Sequence, residues 1–106
     1  MNLTDFNTVV KNQMEKCLHL LVVKGAEYVK TGDRLAAFKK AGVLQDETPK
    51  QALLGMLAKH LVSIADMCVH DGGEPVARWE EKITDSLNYL LILRALVEEE
   101  AEDEAH

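Results

Sequence analysis

The sequence predicts an all-α protein: a bundle of three long helices and one short one. Three observations carry that expectation. Aromatic residues make up only 5% of the chain. Runs that alternate apolar and polar residues are missing, and Ala, Leu, Glu and Lys dominate the periodic segments. Capping and stop signals then divide the 106 residues into four helical pieces.

Thr4 is placed to cap a first helix that runs to about residue 29. Its apolar line is Val10, Met14, Cys17, Leu18, Leu21, Val22 and Val29, at helical spacing. Gly32 suits the left-handed position that ends it. Asp33 is a good N-cap for a short second helix over 34–41, closed by Gly42. The third start is the clearest, because Thr48-Pro49-Lys50-Gln51 combines a capping box with proline at the first helical position. That helix is expected to reach about residue 69, with Leu54, Leu57, Leu61, Ala65 and Cys68 turned inward. A turn over 70–75 follows, and Pro75 or Val76 opens the last helix. It is expected to bury Trp79, Ile83, Leu87, Leu90, Leu91 and Leu93 or Val97. Beyond Glu98 the acidic run has no apolar period, and like charges one turn apart repel. The expectation is one domain over 1–98 and a disordered acidic tail over 99–106.

Apolar residues are 47% of the chain and charged residues 28%, ordinary values for a globular domain. So short a chain makes a marginal core, and assembly into a dimer or tetramer through helix faces would bury stripes that one copy leaves wet. The net charge of −6 argues against a nucleic-acid polymer as partner. Much of that charge lies in the tail, so a small anion remains compatible with the body. Cys17 and Cys68 sit in apolar helical runs, outside any Cys-x-x-Cys pattern, and read as two buried thiols in a reducing cytoplasm. The N-terminus lacks the pattern of a signal peptide. No apolar stretch approaches the roughly 20 residues of a membrane span. A cytoplasmic protein without membrane contact is expected.

Candidate chemistry lies in polar residues on faces that a bundle would cover. Glu81, Asp85 and Asn88 are spaced i, i+4, i+7 and share a narrow stripe of the last helix. Two carboxylates and an amide oxygen on successive turns suit Mg²⁺, which bridges carboxylates to phosphates. On the third helix Lys59, Ser63, Asp66 and His70 lie on one line, with His60 beside it. Lys59 is suited to phosphate, and His60 to phosphate, metal or a stacked base. Arg34 at a helix start, near Glu27 and Asp33, makes a reasonable anion site. A solvated polar face is the competing explanation of each stripe.

The segment from residue 24 to 98 resembles the MazG-like all-α nucleoside triphosphate pyrophosphohydrolases, in particular small phage and prophage proteins of the nucleotide-modification-associated type. The residues that carry the resemblance are Glu27-Tyr28, Asp33-Arg34-Leu35 with Phe38-Lys39, Thr48-Pro49, Lys59-His60 with Ser63 and Asp66, and the run from Trp79 to Leu90. The resemblance implies Mg²⁺-dependent release of pyrophosphate from a nucleoside triphosphate. Glu27, Glu81 and Asp85 would be catalytic, and Glu81, Asp85 and Asp66 would hold the metal. Arg34, Lys59, His60, Asn88 and Tyr89 would bind substrate. The chain departs from the family in two places: Lys30 stands where a second Glu would follow Glu27, and Glu81 and Asp85 are one residue further apart than usual. A different class of function accommodates those departures: a non-catalytic protein that sequesters a cyclic or signal nucleotide against host defence.

Overall fold

The computed structural model describes every residue except 29–31, 71 and 106, and the backbone alone of residues 27–28. The described residues form four α-helices and no strand: α1 (Leu3–Leu18), α2 (Ala36–Gln45), α3 (Pro49–Val69) and α4 (Val76–Ala105). The all-α expectation holds at that level.

The start of α1 differs from expectation. Asn2, not Thr4, is the cap, and its Oδ1 accepts from the Asp5 N–H at 2.8 Å. Nor does the helix continue as α to residue 29. It passes into a π-helical stretch, His19–Lys24, and then a 3₁₀ turn, Gly25–Tyr28; Val29 lies outside the described residues. Gly32 has a φ of 81°, the left-handed conformation expected of it. Asp33 is not the N-cap and the second helix does not begin at residue 34: α2 starts at Ala36 with Leu35 at the cap, and Asp33 Oδ1 accepts the Leu35 N–H at 2.9 Å in the turn before it. Its carboxylate also binds Lys39, which pairs with Glu99 of α4 as well. These bonds hold the Asp33 carboxyl below its ordinary pKa and the Lys39 ammonium above its own. Their stabilising effect is present at neutral pH and is lost as the pH falls through the lowered Asp33 value.

Gly42 does not end the second helix; it is buried inside α2, and the left-handed cap is Asp46 (φ 54°). The reason for glycine is space. A Cβ at this position would lie 2.8 Å from the Glu47 carbonyl oxygen and 3.2 Å from the Pro49 nitrogen, both backbone atoms fixed by the tight link into α3. Gly42→Ala is therefore expected to destabilise the fold by about 1–3 kcal/mol, read as a fall in melting temperature. The capping box that opens α3 is formed in both directions, Gln51 N–H to Thr48 Oγ1 and Thr48 N–H to Gln51 Oε1.

The inward face of α3 is not the expected one. Leu57 is buried, but Leu54 is 59% and Leu61 49% exposed, with Ala65 and Cys68 also outside. The buried line is Leu53, Leu57 and Met67, with His60, Ser63 and Ile64 half-buried. Both sides of this helix are apolar, so periodicity alone chose the wrong one. Cys68 is thus an exposed thiol, whereas Cys17 is buried as expected. By length and composition α3 also qualifies as a membrane span, with a mean hydropathy of 1.6 over its best window. Counting uninterrupted apolar residues missed this because Lys59 and His60 break the run without lowering its average enough.

The core joins Leu35 and Phe38 of the α2 region, Leu53 of α3 and Leu96 of α4, with Met56, Tyr89, Ile92 and Leu93 packed around it. On the other side of α4, α1 is held by Gln13, which donates to the fully buried Thr84 hydroxyl at 2.7 Å. A Lys16–Glu80 ion pair adds to that contact. The acidic end does not leave the helix at Glu98. It continues to Ala105, helped by ion pairs of Glu99 with Lys39 and Glu100 with Lys50, while 101–105 are exposed. Cross-helix pairing offsets the repulsion along the run.

Candidate functional site

Arg34, Phe38, His60, Asp85, Asn88 and Tyr89, with Ala37 and Ile92, line a cleft of about 400 Å³ between the α2 entry, α3 and α4. Helical spacing assembles it. Asp85, Asn88, Tyr89 and Ile92 are i, i+3, i+4, i+7 on α4 and form one wall. Ala37 and Phe38 come from the first turn of α2, Arg34 from the turn before it, and His60 comes across from α3.

Two polar atoms in this cleft lack partners. His60 Nδ1 and Asn88 Oδ1 are both buried and neither makes a hydrogen bond. Asp85 Oδ2 stands 4.0 Å from His60 Nδ1, beyond hydrogen-bond range. Leaving a buried donor or acceptor unpaired costs about 1–3 kcal/mol each, and both atoms belong to residues that line the cleft. The walls around them are aromatic. Tyr89 lies 5.2 Å from the His60 ring at a 40° tilt and meets Phe38 edge-on at 6.4 Å.

Arg34 reaches the cleft over a device built into the end of the first helix. In the π-helical stretch the Gly25 N–H bonds to Leu20 O, five residues back, instead of Leu21 O. Leu21 O accepts Arg34 Nη2 at 2.8 Å. Gly25 leaves room for that crossing: a Cβ there would fall 2.9 Å from Arg34 Cζ. The guanidinium is thereby held by one nitrogen beside the cleft, with its other donors available to an anion. Gly25→Ala is expected to displace the guanidinium and weaken anion binding several-fold. The melting temperature should change little, since only the end of a flexible side chain has to move.

Of the residues singled out by sequence, the structure brings together Arg34, His60, Asp85, Asn88 and Tyr89. It leaves out three. Glu81 is exposed one turn before Asp85, Lys59 is exposed beside His60, and Asp66 is exposed further along α3. The Glu27 side chain lies outside the described residues. Sequence reasoning passed over Ala37, Phe38 and Ile92 as site walls, although the i+7 spacing of Ile92 from Asp85 on α4 was a usable signal.

The described side chains do not by themselves make a donor set for Mg²⁺. Among the described residues Asp85 is the one carboxylate lining the cleft, and no three His, Cys, Asp or Glu side chains gather around a common point. A hard cation held by protein needs converging oxygens, and Glu81 and Asp66 do not converge with Asp85. In comparisons with known proteins, the chain matches no protein-family model, no curated protein and no solved structure.

Proposed function

We propose that the cleft binds a single nucleotide, or one nucleotide unit of a cyclic signal, without a resident metal ion, and that the protein acts by sequestering it. The observation that carries this reading is the pair of unpartnered buried atoms, His60 Nδ1 and Asn88 Oδ1, on two residues that line one cavity together with Arg34. Each supplies what one part of a nucleotide requires. Arg34 meets phosphate oxygens with a charge-assisted fork. The Asn88 amide oxygen accepts from a base or sugar donor, and His60 Nδ1 bonds the same edge in whichever tautomer fits. Tyr89 and Phe38 provide aromatic surface for a ring. A volume of about 400 Å³ is at the low end of small-molecule sites, which run roughly 300–1,000 Å³, and so suits one unit in preference to a polymer. In this reading the protein works as a symmetric dimer or tetramer.

Hydrolysis of a nucleoside triphosphate, which the MazG-like resemblance implies, has one observation in its favour. Asp85 opens into the same cleft, its side chain 40% exposed. That reading needs further carboxylates to join it. The two are separated by calorimetry with a panel of nucleotides, in EDTA and in Mg²⁺, beside an assay for pyrophosphate. Sequestration predicts binding that persists in EDTA and in Asp85→Asn, with no product. Release of pyrophosphate that requires Mg²⁺ and disappears in Asp85→Asn would establish the hydrolase and end the sequestration reading.

A further inference from the structure

Arg34 borders a second cavity besides the cleft. About 360 Å³ in volume, it lies between the π-helical end of the first helix and α4. Leu21 and Val22 line one side, Leu91 and Ala95 the other, and the buried Leu35 lines it as well. Among the described residues Arg34 is the one polar side chain on it; the rest are aliphatic. The two cavities have a wall in common, made by Arg34 and Ile92. Arg34 also reaches across, because its Nη2 ends on the carbonyl of Leu21, a residue of the apolar side. Helical spacing on α4 makes the division. Asp85, Asn88, Tyr89 and Ile92 share the face turned to the cleft, and Leu91 and Ala95 stand one turn apart on the adjoining face.

Charge and polarity narrow what the joined cavities can hold. Among the described residues Arg34 is the one permanent cation lining either of them, and the Asp85 carboxylate lines the cleft. One guanidinium in company with a carboxylate suits a phosphate of single negative charge, a diester, in preference to a dianionic monoester. Aliphatic walls offer no partner to the polar edge of a base or sugar. They gain instead from each methylene they cover, roughly fourfold in affinity. We propose that the ligand is a nucleotide whose phosphate is esterified to an aliphatic group. The phosphate lies on Arg34, the nucleoside in the cleft, and the aliphatic group in the cavity between Leu21 and Leu91. This rests on the nucleotide reading of the cleft and adds to it the class of ligand.

The test is calorimetry on the full chain in EDTA. The probes are the four ribonucleoside monophosphates and their methyl, butyl and hexyl phosphoesters, with hexyl phosphate as the arm that lacks a nucleoside. Wild-type affinity should climb along the ester series by at most about fourfold per methylene until the cavity is full. Hexyl phosphate should bind more weakly than the hexyl ester of the preferred nucleotide. Ala95→Leu fills the cavity from an exposed helical position, so helicity by circular dichroism should persist while the climb disappears. Leu91→Ser, which puts a hydroxyl on the same side, should flatten it. A flat wild-type series, with the parent nucleotide bound, would overturn the proposal and leave the nucleotide reading standing. A climb that survives both substitutions would also overturn it, as apolar adhesion elsewhere on the chain. Should no nucleotide bind while hexyl phosphate matches the hexyl esters, the proposal falls together with the nucleotide reading, and the ligand is a lipid phosphate.

Discussion

Leu53→Ala is expected to lower the melting temperature by roughly 10 °C or more, the largest single effect anywhere in the chain. Leu53 has no exposed surface and sits where Leu35, Phe38 and Leu96 meet. Truncating a leucine so enclosed costs about 2–5 kcal/mol, because the lost transfer energy is joined by that of the cavity left behind. A fold with so small a core has little to spare. The damage should reach the cleft as well, because Phe38 packs on Leu53 from one side and meets Tyr89 on the other. Leu53→Met keeps the volume and should cost under about 1.5 kcal/mol. Thermal melts of the two variants, followed by circular dichroism, check the contrast. Equal and small shifts in both would mean that the α2–α3–α4 junction is not the core.

Arg34→Ala should reduce nucleotide affinity by about 10- to 100-fold, the loss of one charge-assisted contact worth about 1.5–3 kcal/mol. Its effect on melting in the absence of ligand should be small, because the guanidinium is exposed and its bond to Leu21 O is replaceable by water. Arg34→Lys should recover part of the affinity: the charge returns, but the planar fork does not. Calorimetric titration of the three proteins decides. Unchanged affinity in Arg34→Ala would place the phosphate elsewhere.

These contrasts show where sequence reading reaches and where it stops. The opening of α3 was legible because a capping box is a local device, complete within Thr48, Pro49 and Gln51. The inward face of α3 was not. Leu54 and Leu61 make as good an apolar line as Leu53 and Leu57, and which line turns inward is settled by Phe38 and Leu96, distant in sequence. The last helix was expected to bury Leu90 and Leu91, and in one chain they stay 49% and 43% exposed. Asp85, Asn88 and Tyr89 were legible as a group because helical spacing fixes their common face. Glu81 shares that stripe but stands about 6 Å further along the axis, past the end of the cleft. Lys59 is turned about 100° from its neighbour His60 and so misses the cavity that His60 enters. Gly42 resembled a helix stop, since the backbone of Glu47 and Pro49 that crowds it comes from a link whose path no local pattern states.

The central claim is that His60 and Asn88 await a nucleotide and not a metal ion. A crystal of the protein soaked with nucleotide and Mg²⁺ together tests it most directly. The account predicts phosphate density against Arg34 and hydrogen bonds from the bound nucleotide to His60 Nδ1 and Asn88 Oδ1, with no ion coordinated by Asp85. Density for a divalent ion between Glu81 and Asp85, with the phosphates gathered on it, would contradict the account.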